Sequence, residues 1–188
     1  MVDNGPMLVA AVLLLAVGIA IVGIYNSLVR LKVLTENAWS DIGVQLKRRH
    51  DLIPNLVNTV QGYAAHEKQT LQAVVDARTQ ALLANGPAQS GQMEGQLTQA
   101  LKSLFALAES YPELRASENF AELQSSLNQI EAAIQNARRY YNAVVRDLNT
   151  KVAQFPSNIV AGFFKFERRD FFELDQGEEA VPEVKFSS

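Results

Sequence analysis

The chain has 188 residues, 48% hydrophobic and 20% charged, with 17 Lys and Arg against 20 Asp and Glu for a net charge of −3. That balance lacks the basic excess on one face that nucleic-acid binding requires, so no nucleic-acid partner is expected. With no cysteine, disulfides and a thiol nucleophile are excluded, and a middle rich in Leu, Ala, Gln, Glu and Asn is the composition of an all-helical domain.

Residues 1–6 form a short tail. Residues 7–25 read MLVAAVLLLAVGIAIVGIY, nineteen positions without a charge, Asn, Gln or Pro. At 1.5 Å per residue, such a stretch crosses a hydrocarbon core of about 30 Å. A secretory signal needs a basic leader and a cleavage site, whereas the preceding MVDNGP has Asp3 as its one side-chain charge. The expectation is an uncleaved, single-pass transmembrane helix in contact with membrane lipid; a buried hairpin core helix is the alternative. Tyr25, Arg30 and Lys32 flank it on one side, as anchors at the membrane surface. Cationic flanks resist translocation, which places the N-terminus outside and the rest in the cytoplasm, with a periplasmic domain as the alternative.

Leu28, Leu31, Thr35, Ala38, Ile42, Leu46, Arg49 and Ile53 step by three or four, so the anchor continues into the domain as one long helix. Pro54 lacks a backbone donor and predicts a kink or break. Leu56, Val60, Tyr63, Leu71, Val74 and Leu82 resume the period to about Ala84, where Asn85, Gly86 and Pro87 form the clearest stop. The small, polar stretch 87–95 reads as a loop or frayed turn. Leu97, Leu101, Leu104, Leu107 and Ala108 mark a further helix ending near Tyr111 and Pro112. A last long helix runs from about Glu118, with Ser117 as N-cap, to Phe155. Pro156 stops it, 157–164 starts one short helix more, and 173–188 is an acidic, extended tail. Long helices on short loops pack antiparallel. The expected fold is therefore all-α: a transmembrane helix continuing into an antiparallel three- to four-helix bundle over 26–172, its long helices paired in coiled-coil fashion.

The segments ENAWSDI (36–42), QLKRRHDLIPNL (45–56) and GYAAHE (62–67), within the run 25–71, resemble the N-terminal signature of the LemA family. YYNAVVRDLNTKVAQFPSNIVAGFFKF (140–166), followed by RRDFFE, is similar to its C-terminal signature. Lys32 to Thr35 and Gly43 depart from the family's charged pattern. The resemblance implies a membrane-anchored antiparallel helical bundle in the bacterial inner membrane. It implies no enzyme chemistry, no cofactor and no catalytic residues to carry over.

The residues point the same way. His50 and His66 are the only histidines; on an unbroken helix they lie about 160° apart, so they form no metal site and read as surface or capping side chains. No hydroxyl nucleophile has a recognisable His and carboxylate arrangement, and no glycine-rich loop follows a strand. Catalytic and metal sites are therefore read as none, and the protein as no enzyme. Lys47, Arg48 and Arg49 lie about 35 Å beyond Tyr25 on a straight helix, past the roughly 8 Å reach of membrane charge at physiological salt. They read as a solvated face with ion pairs, or as a basic surface for an acidic partner, with at least one of the run turned inward. Trp39 is a core residue or an interface anchor. Phe163, Phe164, Phe166, Phe171 and Phe172, interleaved with Lys165, Arg168 and Arg169, cap the bundle, contact another subunit, or lie in the membrane interface. Two functions stay open. One is a self-assembling, homo-oligomeric membrane scaffold, supported by Ala16 and Ala20 at small-xxx-small spacing. The other is an adaptor tethering a membrane-protein partner, such as a membrane protease or an envelope-stress component.

Overall fold

A computed structural model describes residues 5–173. The short tail's first four residues and the acidic tail from 174 onward lie outside the described residues. Six helices follow one another: α1 (Gly5–Tyr63), α2 (Lys68–Leu83), α3 (Gly86–Ala108), α4 (Pro112–Arg115), α5 (Glu118–Ala153) and α6 (Ser157–Phe163), with no strand among the described residues. The fold is all-α.

The chain divides into two compact units. Among the described residues, one combines 5–40 with 139–170; the other combines 41–138 with 171–173. α1 and α5 each contribute to both. In the larger unit, Ile53, Leu56 and Val60 of α1, Leu71 and Val74 of α2, Leu97, Leu101 and Leu104 of α3, Leu114 of α4 and Phe120 and Leu127 of α5 form a continuous core. Each such side chain contributes about 1.5–3 kcal/mol by leaving water. In the smaller unit, Leu28 of α1, Leu148 of α5 and Val160 and Ala161 of α6 form a second core, bordered by Ile24, Leu31, Val152 and Phe166.

The apolar stretch and the first core stripe share one helix, as the unbroken period from Leu28 predicts. Every side chain from Met7 to Val22 is exposed. This helix is long and apolar enough to cross a membrane.

α1 does not break at Pro54. It continues for nine residues to Tyr63, and the chain turns at Ala64–Glu67 instead. The proline withholds the N–H that would bond the carbonyl of His50, four residues earlier. Arg78 of α2 supplies the missing donor: its Nε–H reaches the His50 carbonyl at 2.8 Å. The proline itself lies on the exposed face of the helix, so its ring displaces nothing. The turn is closed by Ala64 N–H on the Val60 carbonyl (2.8 Å) and Glu67 N–H on the Ala64 carbonyl (3.1 Å). Tyr111 donates its hydroxyl to Glu67 at 2.9 Å, and that bond is the main cause raising the Tyr111 pKa.

The stretch 87–95 is helical rather than a loop. Pro87 stands in the first turn of α3, where a missing N–H is tolerated and a fixed φ favours the helix. The Gln89 side chain reaches back to accept the Asn85 N–H at 2.9 Å. Ser90, Gly91 and Glu94 are buried, so the small residues that resemble a loop form an inward face. Glycine is required at 91, where a Cβ would collide with the backbone carbonyl of Glu173.

If Arg78 substitutes for the proline's absent donor, Arg78→Ala destabilises the protein by about 1–3 kcal/mol, the cost of an unsatisfied buried acceptor. Pro54→Ala restores the helical N–H and relieves most of that loss. The check is a double-mutant cycle on thermal unfolding followed by helical circular dichroism; simple additivity of the two substitutions would refute the coupling.

Candidate functional site

The polar centre of the larger unit is a buried charge cluster. Glu94 of α3 has 1% of its surface exposed, and Arg49 and His50 of α1 are buried beside it. Arg49 donates from Nη1 to Glu94 Oε2 at 3.1 Å and from Nη2 to Thr98 Oγ1 at 2.7 Å. Its Nη2 also lies 3.3 Å from Glu131 Oε2 of α5. The other Glu94 oxygen is 2.6 Å from His50 Nε2. An ionised carboxylate only accepts, so that nitrogen bears the hydrogen. Thr98 donates its own hydroxyl to the Glu94 backbone carbonyl at 2.9 Å. With Arg78 on the His50 carbonyl, side chains from α1, α2, α3 and α5 meet in one network. Among the described residues no buried side-chain polar atom lacks a hydrogen-bond partner.

This placement corrects two expectations. His50 is neither a surface nor a capping residue, because Glu94 is buried opposite it. Arg49 is not part of a free basic surface; its guanidinium is enclosed between Glu94 and Glu131, in the inward position that the α1 stripe assigns to it. Lys47 and Arg48 remain exposed. Lys47 donates to Asp51 at 2.7 Å, and that hydrogen bond is the main cause lowering the Asp51 pKa. Arg48 bonds Gln45 at 3.2 Å and borders an open recess of about 550 Å³ lined also by Asp51, Ser126 and Gln129. His66 is exposed in the turn after α1.

Glu94 and Thr98 escape a reading of the sequence that begins the helix at Leu97. Their signal is the stripe of Leu97, Leu101 and Leu104 carried backward by three and four residues to Glu94, Gly91 and Ser90.

The five aromatic residues named at the C-terminal end are divided between the two compact units. Phe172 is wholly buried and Phe171 half-buried, and both belong to the larger unit. Phe163, Phe164 and Phe166 belong to the smaller one. There Phe164 and Phe166 lie 4.7 Å and 5.8 Å from the Tyr25 ring, and Phe163 lies 5.0 Å from Phe164. Trp39 is half-buried in the same unit, 5.6 Å from the Tyr141 ring. Tyr141 donates its hydroxyl to the Asp170 carbonyl at 2.9 Å, and burial pushes its pKa up to about 12. Asn149 clamps the adjacent backbone, accepting the Arg169 N–H at 2.8 Å and donating to the Arg169 carbonyl at 2.9 Å. Arg169 reaches Glu36 at 3.8 Å. Arg30 and Lys32 are exposed on α1, one to two turns past Tyr25.

A model of the LemA family matches residues 38–186, a span that takes in the charge cluster and the segment held by Asn149 and Tyr141. The chain belongs to the LemA family. Relatives of this LemA-family chain include magnetosome proteins by name. MamQ 2 of Paramagnetospirillum magneticum is 26% identical over 175 residues, covering 79% of this chain and 64% of the relative. MamQ of Magnetospirillum gryphiswaldense is 24% identical over 174 residues, with the same coverage. Protein LemA of Metamycoplasma hominis is 27% identical over 143 residues, covering 74% of this chain and 64% of the relative. The LemA-family chain thus spans a little under two thirds of the length of these relatives.

Removing one member of a buried ion pair strands the other charge, which costs about 3–5 kcal/mol. Glu94→Ala should lower the stability of the LemA bundle by that amount, measured by urea unfolding in detergent. A loss below about 1 kcal/mol, the level of an exposed pair, would show that the cluster does not hold the helices together.

Proposed function

We propose that the protein is a single-pass, membrane-anchored helical bundle that assembles with copies of itself into a scaffold. The observation that carries this reading is the helix α1, whose exposed apolar segment from Met7 runs without interruption into the residues that start the bundle core. An apolar helix with no protein packed around it has two available partners, lipid and another such helix. Ala16 and Ala20 lie one turn apart on its surface, and small residues at that spacing let two membrane helices approach closely. The charge cluster supports a structural role over a catalytic one, because its groups are enclosed and saturated by one another.

Arg30 and Lys32 stand just past the span, and no Lys or Arg precedes it. This asymmetry supports an outside N-terminus and a cytoplasmic domain in the bacterial inner membrane. Protease added outside intact cells should then leave residues 26–173 uncut; their digestion would reverse the orientation.

The alternative, an adaptor for a membrane-protein partner, is favoured by one observation, the exposed Lys47 and Arg48 beside the recess that Arg48 borders. Size measurement of the detergent-solubilised chain separates the two. An assembly of several copies is expected, whereas a monodisperse monomer overturns the scaffold. Affinity capture that repeatedly recovers the chain alone would count against the adaptor.

A further inference from the structure

The smaller unit exposes a second apolar surface. α6 buries Val160 and Ala161 against Leu28 and Leu148 and turns its opposite side outward. Ile159 is 64% exposed and Phe163 79% exposed, and Phe155, four residues before Ile159, is 74% exposed. These residues follow one another at four-residue intervals. Single exposed apolar side chains need no explanation, but three large ones within nine residues, on α6 and the turn before it, mark a candidate contact surface.

Its position identifies the occupant. Phe163 touches Phe164, and Phe164 touches Tyr25, with ring centroids 5.0 Å and 4.7 Å apart. Tyr25 ends the apolar stretch. The apolar stretch therefore meets the end of α6 through the ring contacts of Tyr25, Phe164 and Phe163. Nineteen residues from Met7 to Tyr25 span about 28 Å, close to the thickness of a hydrocarbon core, so a bilayer around them has its boundary at Tyr25. α6 lies at that boundary by construction of the unit.

The backbone at the end of α6 adds an independent observation. The helix closes with Phe166 N–H on the Ala161 carbonyl (2.9 Å) and Lys165 N–H on the Gly162 carbonyl (3.3 Å). This is the Schellman pattern, which favours glycine at the left-handed position. Here that position is Lys165, at φ 57°. A lysine there bears a modest strain that glycine would avoid. Lys165 and Arg168 are exposed on this segment, as are Arg30 and Lys32 on α1, the arrangement that suits lipid phosphates above an apolar contact.

We infer that Phe155, Ile159, Phe163 and Phe164 form a second membrane contact, inserted in the headgroup and acyl boundary beside the anchor. The inference rests on the reading of residues 7–25 as a membrane span. The contact makes α6 a foot on the bilayer surface, with Lys165 at its polar edge.

The absence of cysteine in the natural chain allows single nitroxide labels. Full-length Ile159→Cys and Phe163→Cys, labelled in vesicles of phosphatidylcholine and phosphatidylglycerol, are compared by collision with oxygen, which concentrates in lipid, and with a nickel chelate, which stays in water. Ser125→Cys, exposed on α5 in the larger unit, is the aqueous reference, and Val12→Cys reports the span itself. The oxygen-to-nickel ratio at 159 and 163 should exceed that at 125 severalfold. Equal ratios at 159, 163 and 125 overturn the contact while leaving the span intact. Labels at 159 and 163 shielded from both reagents also overturn it, because protein and not lipid then covers α6. An aqueous Val12 label instead rejects the span, and the second contact with it.

Discussion

Burying a guanidinium is expensive unless its charge and its donors are met, and the larger unit is organised around meeting those of Arg49. Its charge lies between Glu94 and Glu131, and Thr98 takes a further N–H. Because Glu94 also faces His50, any slide of α3 along α1 would separate two bonded pairs at once. Apolar side chains from five helices, whose contacts are non-directional, could pack in several neighbouring registers at similar energy. The charge cluster admits one of them. Its contribution is better described as selection of a register than as net stabilisation, since desolvation offsets much of the attraction within such pairs.

The smaller unit meets the same need by other means. Its apolar core is short, and the extended segment after α6 is tied to α5 through backbone groups: Asn149 holds Arg169 from both sides, and Tyr141 holds the Asp170 carbonyl. Ser157 completes the corner between α5 and α6. Its hydroxyl lies 2.6 Å from the Lys151 carbonyl and 2.8 Å from that of Gln154, acceptors left over where α5 ends. Backbone groups at the end of α5 and after α6 are thereby given side-chain partners.

Periodicity made most of the helices legible, because burying one stripe per helix is what the composition permits. The uninterrupted run from the apolar segment into Leu28, Ala38 and Ile42 was readable for that reason, as was the helix from Phe120 to Leu148. Prolines and small residues were misleading where their local preference was overridden at a distance. Pro54 reads as a break because its remedy, Arg78, lies 24 residues away. Ser90, Gly91 and Glu94 read as a loop because the features that make them an inward face, the close backbone at Glu173 and the Arg49 and His50 side chains of α1, are remote in sequence. The inward turn of Arg49 was visible in its stripe. The carboxylates that receive it were not, since no spacing rule relates positions 49, 94 and 131. The aromatic run from Phe163 to Phe172 looked like one feature for the opposite reason: nearness in sequence concealed that its two ends belong to different compact units.

The hydrogen bond from Arg78 to the His50 carbonyl also limits the order in which this sequence can change. A lineage that keeps proline at 54 must keep a donor at 78, because the exposed ring and the buried carbonyl belong to the same turn. A lineage that first exchanges the proline regains a backbone N–H, and position 78 is then free to drift. The reverse order passes through a chain with a stranded acceptor at the centre of its bundle. Positions 54 and 78 are thus coupled through one carbonyl, with the proline on the solvent side.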